Sequence, residues 1–210
     1  MLAVLMAAAL AGQANPDQAI KEFKEKFKAG SDNERTYAIQ GLSRVNDRKV
    51  VQVLIPYLTT EAPAVRVAAA RALGGMDEHK DLVLPALERA MGGPNGKFPD
   101  VRGAVLEAFG YLGDPAGLKA IQRAYDDREV SVVRSAVNAT AVIKNGSSVS
   151  PLIDLLKRQE KKARETSTKS EADILIPEVN RALAQITGQS FVKGDDWSKW
   201  WSNYKGPLKK

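Results

Sequence analysis

Residues 63–78, PAVRVAAARALGGMDE, decide the fold, because the phrase that closes them returns four more times along the chain. The phrase is an anchor residue, two variable positions, an apolar residue and a short polar turn. Its anchors lie 31, 36, 31 and 43 residues apart, at Leu42, Leu73, Phe109, Thr140 and Leu183. A period of this size predicts stacked helical pairs, since each pair is too small to bury its own apolar face. We therefore expect an all-α fold, an α-solenoid forming a right-handed superhelix of about five helical pairs.

The segments around this array predict a cap at each end. Residues 15–30 should form an N-terminal capping helix, because Asn15-Pro16-Asp17 combines a capping side chain, a first-turn proline and an acid. The solenoid itself is expected over residues 31–188. It includes a charged insert at 157–173, which is either a solvated helical extension or a loop. Residues 189–210 form a Trp-rich cap and a basic tail.

Individual positions within the repeats give sharper expectations. Pro56 should kink the second helix of the first pair, because it removes a backbone donor. The turn residues Asp47, Asp77 and Asp114 are expected to cap second helices. Thr140 departs from the pattern, since a Leu or Phe is expected at an anchor.

A recurring arginine lies near the start of the first helix in three repeats, at Arg66, Arg102 and Arg134. These arginines could form an anion-binding ladder, but pairing that holds neighbouring repeats together is the favoured interpretation.

The N-terminus resembles part of a secretory signal peptide. Residues 1–11, MLAVLMAAALA, carry no charge, and small residues precede Asn15-Pro16. This pattern is typical of an apolar core followed by a cleavage region, and it is too short to span a bilayer. We therefore interpret residues 1–14 as a signal peptide and expect an exported protein, periplasmic or extracellular. The alternative is an apolar helix docked on the first repeat, in a cytoplasmic protein.

The C-terminal aromatic residues are predicted to close the last repeat. Trp197, Trp200, Trp201 and Tyr204 share one face of a helix that should start at Asp195-Asp196. Together with Phe191, they would cover the apolar flank that a solenoid leaves at its end. The rival interpretation is an aromatic platform for a sugar or a peptide.

Composition argues against several kinds of chemistry. The chain has no cysteine and one histidine, His79, so thiol catalysis, thiolate metal sites and a multi-histidine metal site have no ligands. We expect no catalytic residue, cofactor or metal.

The net charge of +6 is concentrated in residues 157–164 and 193–210, which together carry +7. Because no basic stripe follows the repeats, nucleic acid is not an expected partner. The 157–164 run could instead dock on an acidic partner or a membrane, although such runs are usually solvated.

The repeat phrases resemble a known family. Pro63-Ala64-Val65-Arg66 through Leu73-Gly74, and Val101-Arg102 through Leu112-Gly113-Asp114, are similar to bacterial HEAT repeats, including the phycobilisome-lyase-like class. The ending Thr187-Gly188-Gln189-x-Phe191, followed by Trp197-x-x-Trp200-Trp201, is similar to a closing motif of exported HEAT-repeat proteins. HEAT proteins are scaffolds and adaptors, so the resemblance implies binding to a protein partner and no catalysis.

The resemblance also implies where a partner would bind. Second helices of HEAT pairs line the concave side, so their polar residues are the candidates for partner contacts: Gln52, Arg89, Lys119, Arg123 and Lys157. Two enzyme classes share the architecture. A di-iron hydroxylase needs more histidines than this chain has. A bilin lyase, or an accessory chaperone that holds a small molecule in the groove, remains the alternative function. The sequence predicts neither the identity of the partner nor the oligomeric state.

Overall fold

The computed structural model describes residues 15–165 and 169–204, and its regular structure there is entirely helical. Eleven α-helices span these residues: α1 (Pro16–Ala29), α2 (Asp32–Leu42), α3 (Arg48–Leu54), α4 (Pro63–Gly74), α5 (Lys80–Ala90), α6 (Pro99–Leu112), α7 (Leu118–Arg123), α8 (Val130–Ile143), α9 (Val149–Lys162), α10 (Lys169–Thr187) and α11 (Gly194–Asn203). The expected signal peptide, residues 1–14, lies outside the described residues.

The helices form two rows, as an α-solenoid requires. The first helices of successive pairs, α2, α4, α6, α8 and α10, pack each on the next. The second helices α3, α5, α7 and α9 form the other row, and α11 packs against α9 at its end. At the opposite end α1 packs against α2 and α3. One continuous apolar core runs from Phe23 to Trp197, which confirms the prediction of an all-α solenoid.

Small residues bring the first helices into close contact. A Cβ atom on Gly74 would lie 2.8 Å from the Cα of Ala108 on the next first helix. One on Gly110 would lie 3.2 Å from the Cα of Ala139. Backbones can approach this closely only where side chains are absent or small, so these two glycines set the spacing of the row.

Capping side chains begin many of the helices. Asn15 accepts hydrogen bonds from the backbone N–H groups of Asp17 and Gln18, and Ser31 forms a capping box with Glu34. Asp47 caps α3, while Asp114 caps the 3₁₀ turn that leads into α7. Asp77 makes no capping hydrogen bond, because it lies inside a 3₁₀ turn, Asp77–His79, that precedes α5. The capping expectation for Asp77 was therefore wrong.

Some helices end or begin at positions other than those expected, near a proline and in the charged segment. Pro56 does not kink a continuous α-helix; α3 ends at Leu54 and tightens into a 3₁₀ turn, Ile55–Leu58. Most of the charged segment 157–173 is helical. Its first part continues α9 to Lys162, and its last part begins α10 at Lys169.

Thr140 is fully buried, and a tyrosine fills the space that a larger anchor would occupy. The Tyr125 hydroxyl lies 2.6 Å from Thr140 Oγ1, which itself donates to the Ala136 carbonyl. The neighbouring repeat packs differently, with the Phe109 ring directly over Gly117. The turn position 31 residues later is Ser148, which is also buried. Burial raises the pKa of the Tyr125 phenol above its ordinary value.

The Tyr125–Thr140 pair predicts a measurable coupling. Tyr125→Phe should lower the free energy of unfolding by about 1 kcal/mol, because one buried hydrogen bond is lost. Thr140→Val should cost a similar amount, and the double variant should cost less than the sum of the two. Urea unfolding of the four proteins measures the coupling. Fully additive effects would show that the short contact contributes nothing.

Arginine side chains join successive repeats, in line with the interpretation as structural pairing. Arg102 is 4% exposed and donates two hydrogen bonds of 2.8 Å to the Asp127 carboxylate. Arg66 donates to Asn95 Oδ1 and lies over the Phe98 ring. Arg35 is a further member that the sequence did not single out, since it pairs with Glu61 and lies over a ring of α1.

Arg134 does not join this set. Its side chain is exposed and forms no hydrogen bond or ion pair with the rest of residues 15–165 and 169–204. The pairing expected of it was wrong.

Burial and pairing act in opposite directions on Asp127. Partial burial raises its pKa, but hydrogen bonds from Arg102 and from the Glu129 backbone N–H outweigh burial, so the pKa lies below its usual value. A carboxyl with a lowered pKa in the folded state stabilises the fold at neutral pH. That contribution is lost as the pH falls through the folded-state value.

Candidate functional site: a groove between the second helices

Ion pairs link neighbouring members of the second-helix row along its length. The links are Asp17–Lys49, Arg48–Asp81, Lys80–Asp114, Glu88–Arg123, Asp126–Arg158 and Lys157–Asp195. All these side chains are substantially exposed, so each pair contributes little to stability. These pairs matter more for partner binding than for stability, because a charge that is paired within the chain is less available to a binding partner.

A groove of about 290 Å³ opens between α5 and α7. Leu84 and Pro85 form one wall, while Ala116 and Ala120 form the other. The ring of Phe109 lies at the bottom. The groove exists because the side chains facing α5 are small. At Gly117, between the two alanines, a Cβ atom would lie 2.6 Å from that ring.

Two ion pairs involve charged residues that line the groove. Lys80 lies 3.9 Å from Asp114, and Arg123 lies 2.6 Å from Glu88. Asp81, which also lines the groove, is bound by Arg48, and that hydrogen bond lowers the pKa of Asp81 below its usual value. The three carboxylates around the groove are thus each paired with a cation of this chain.

Three of the five predicted partner-binding residues lie on the two helices that flank this groove, although none of the five is among the residues that line it. Lys119 is exposed on α7, within a turn of both wall alanines, and makes no contact with another charged side chain among the described residues. Arg89 is exposed on α5, and its only described hydrogen bond is to the carbonyl of Pro85. Arg123 pairs with Glu88. Lys119 and Arg89 therefore lack a carboxylate from the described part of the chain.

The other two predicted residues lie elsewhere. Gln52 is exposed on α3, outside the residues that line this groove. Lys157 lies on α9, where its ammonium group is 3.0 Å from Asp195 and holds the C-terminal helix. Arg89, Lys119 and Arg123 thus lie on the two helices beside the groove, whereas Gln52 and Lys157 lie on other helices. The wall residues of the groove went unrecognised in the sequence, because Ala116 belongs to the turn before α7 and Ala120 to α7 itself.

A larger groove, about 620 Å³, lies between α1 and α2. Its apolar lining includes Phe23 and Tyr37, and the Tyr37 side chain is 71% exposed. None of the predicted partner-binding residues borders it. Its carboxylates already accept hydrogen bonds within the chain, that of Glu34 from Ser31 and that of Glu22 from Gln18. We place the candidate site at the α5–α7 groove, because it lies between two second helices, the row on which partner contacts are expected.

The C-terminal aromatic residues pack on the last helical pair. Trp197 is fully buried, and its indole N–H donates a 2.7 Å hydrogen bond to Asn180 on α10. Phe191 and Trp200 contact its ring, at centroid distances of 4.9 and 6.1 Å. Trp201 donates to the Ser150 hydroxyl on α9. These four residues and Tyr204 lie against the last repeat, with Trp200, Trp201 and Tyr204 only partly buried. The helix begins at Gly194, one residue before the expected Asp195.

The described residues contain neither a cluster that could bind a metal ion nor a helix that could span a membrane. Within residues 15–165 and 169–204, no cluster of three or more His, Asp or Glu side chains could hold a metal ion. No helix in that part of the chain is long and apolar enough to cross a membrane. His79 lies in the turn before α5, and its Nε2 atom is buried without a hydrogen-bond partner among the described residues.

Comparison with known families agrees with the helical architecture. Residues 20–98 match the family described as HEAT repeats, and residues 101–127 match the PBS lyase HEAT-like repeat. The second match covers α6 and α7, which supply the bottom and one wall of the groove. A comparison with curated proteins gives no match. The two family matches cover about half of the chain, and the helical pairs continue beyond them through α8, α9 and α10. The chain is a HEAT-repeat protein.

Proposed function

We propose that this chain is a non-catalytic scaffold or adaptor that holds a protein partner at the α5–α7 groove. The observation that carries this proposal is the apolar groove between the second helices α5 and α7, which also carry Arg89 and Lys119, two exposed cations that pair with no carboxylate of the described residues. Exposed charges next to a small apolar depression are typical of a protein-binding surface, where apolar contacts supply affinity and rim charges supply orientation. HEAT repeats also commonly mediate protein interactions.

The second candidate is an accessory or lyase-like chaperone that binds a small molecule. The match of α6 and α7 to the PBS lyase HEAT-like repeat favours it. The openness of the groove does not, since sites for small molecules enclose most of the ligand's surface. A shallow groove of about 290 Å³ suits a side chain of a protein partner better.

A photo-crosslinking experiment in cells tests the scaffold proposal. A photoreactive amino acid placed at Lys119 should yield an adduct of one constant, larger mass, and mass spectrometry of the adduct should identify a protein. The same amino acid at Lys24, an exposed residue on α1, is the matched control and should yield none. Equal adducts at both positions, or no protein adduct at Lys119, would contradict the proposal.

We also propose that the protein acts outside the cytoplasm, after removal of residues 1–14. The proposal rests on the uncharged apolar run at 1–11 and the small residues that precede Asn15. N-terminal sequencing of the mature protein from its native cells should begin near Gly12 or Asn15. A chain that retains Met1 and fractionates with the soluble cytoplasmic proteins would contradict export. The scaffold proposal would then still stand.

A further inference from the structure

The two rows of helices are held together by different forces. In the first-helix row, small residues bring the backbones together, with Gly74 against Ala108 and Gly110 against Ala139. Ala108 and Ala139 are almost fully buried, so these contacts are apolar and closely packed. Closely packed apolar contacts do not depend on charge, and salt does not screen them. The spacing of the first helices is therefore fixed by the shape of their side chains.

The second-helix row is joined by ion pairs. An ion pair bridges each junction along α3, α5, α7 and α9, and the junction between α5 and α7 has two. The pairs are Arg48–Asp81, Lys80–Asp114, Glu88–Arg123 and Asp126–Arg158. Their side chains are between 32% and 77% exposed. Salt weakens exposed ion pairs, because the Debye length falls from about 10 Å at 0.1 M to about 3 Å at 1 M.

Apolar packing is incomplete at the junction between α5 and α7. The groove of about 290 Å³ lies between these helices, and Lys80 and Glu88 are among the residues that line it. Each of the two residues supplies one member of an ion pair across the junction. They are eight residues apart on α5, a separation of about 12 Å at 1.5 Å per residue. The ion pairs therefore hold α7, and the turn before it, against α5 at two separate points.

A way of bending follows from this difference between the rows. If the first helices keep their spacing, neighbouring pairs rotate about the first-helix row, and the second helices move apart or together. Because packed helices lie about 10 Å apart, a rotation of about 5° at one junction moves the second helices by about 1 Å. Three junctions separate α3 from α9. The displacement between these two helices would therefore add up to about 3 Å.

We propose that the solenoid bends about its first-helix row, and that the ion pairs of the second-helix row hold its curvature. Screening of these pairs by salt moves the second helices apart, reduces the curvature and widens the α5–α7 groove. The ionic strength of the surroundings thus sets the width of the candidate site. This inference goes beyond the proposed scaffold function, and it applies to the chain with no partner bound.

Distances between spin labels test the proposal in the purified full chain. The sequence has no cysteine, so introduced cysteines take the labels at chosen positions only. Gln52→Cys and Asp154→Cys label exposed positions on α3 and α9, in the second-helix row. Gln40→Cys and Arg134→Cys label exposed positions on α2 and α8, three junctions apart in the first-helix row. Pulsed electron paramagnetic resonance measures each distance at 0.05 and 1 M NaCl.

The two distances should respond differently to salt. Between 0.05 and 1 M NaCl the α3–α9 distance should lengthen by about 3 Å. The α2–α8 distance should change by less than about 1 Å, because close packing fixes the first-helix row. Circular dichroism should show the same helical content at both salt concentrations. Equal lengthening of both distances, no change in the α3–α9 distance, or a loss of helical content would overturn the proposal.

Matched variants assign the effect to the second-helix row. Lys80→Gln combined with Glu88→Gln removes both ion pairs between α5 and α7 and leaves the net charge unchanged. This variant should lengthen the α3–α9 distance already at 0.05 M NaCl and should reduce its dependence on salt. Arg71→Gln combined with Glu107→Gln is the control, because it removes an exposed ion pair between the first helices α4 and α6. The control should leave both distances as they are in the parent chain.

The control also provides an outcome against the proposal. If it lengthens the α3–α9 distance as much as the double variant on α5, the placement of the ion pairs has no effect and the proposal fails. The salt series on the labelled parent chain needs neither double variant, so it decides the question even if one of them does not fold.

Discussion

Replacing Asn95 with Ala should lower the free energy of unfolding by about 3–4 kcal/mol, one of the two largest effects we expect from a single substitution. Asn95 is fully buried in the loop that follows α5. Its amide nitrogen donates to the carbonyls of Leu58 and Ala90, at 2.9 and 2.8 Å. Its side-chain oxygen accepts from Arg66. The substitution leaves two carbonyls and a guanidinium without this partner, and each unmade hydrogen bond in a buried site costs about 1–3 kcal/mol.

The position of Asn95 explains why one side chain has so large an effect. Leu58 ends the first helical pair, Ala90 ends the second, and Arg102 in the third donates to the backbone carbonyl of Asn95. The side chain and backbone of one residue therefore connect three successive repeats. In a solenoid, stability depends on the interfaces between neighbouring repeats, so this residue supports two interfaces at once.

Asn145 is the matched control for this prediction. Like Asn95, it is followed by glycine in a turn between helices, but its side chain accepts only one hydrogen bond, from the Ser147 backbone N–H. Asn145→Ala should cost about 1 kcal/mol or less. Thermal unfolding followed by circular dichroism should show a fall of about 10 °C for Asn95→Ala and a few degrees at most for Asn145→Ala. Equal shifts in the two variants would contradict the role assigned to Asn95.

The sequence was sufficient to predict the rows of helices, because the repeat period and the apolar spacing are local signals. The start of α1 at Asn15-Pro16 was equally predictable, because a helix cap involves residues only two or three positions apart. Contacts between different repeats were harder to predict from the sequence. The loop at 92–96 reads as an insertion of turn residues, and nothing nearby indicates that Asn95 reaches Leu58, 37 residues away.

The sequence predicts that partner contacts lie on the second helices, but it does not predict the groove between two of them. Lys119, Arg89 and Arg123 follow from the expectation that second helices carry the partner-binding residues. The groove depends on α5 and α7 lying side by side, with Ala116, Gly117 and Ala120 facing Pro85. The sequence also could not indicate that Lys157 forms an ion pair with Asp195, 38 residues later. Lys119, in contrast, forms no ion pair within the described residues.

Loss of the Trp197 side chain should destabilise the C-terminal end of the solenoid by about 3–5 kcal/mol, the usual cost of truncating a buried aromatic side chain to Ala. Trp197 is the largest fully buried side chain of the described residues. Its hydrogen bond to Asn180 would also be lost, and Asn180 holds the preceding loop by donating to the Val192 carbonyl. Truncation at Gly194 removes α11 altogether and should have at least the same effect, with aggregation through the uncovered flank.

Trp201→Ala is the control, because its ring is only partly buried and its indole donates to an exposed serine, Ser150. It should cost about 1–2 kcal/mol. All three tryptophans of the chain lie in α11, so tryptophan fluorescence reports on this cap, while circular dichroism reports on the whole solenoid. In the parent chain both signals should change in a single transition. In Trp197→Ala, the fluorescence of Trp200 and Trp201 should change at a lower temperature than the helical signal, because the end repeats unfold first.

A truncated chain with unchanged stability that no longer bound a sugar or peptide would instead favour the aromatic platform. Such a result would require the partly exposed rings of Trp200, Trp201 and Tyr204 to contact a ligand.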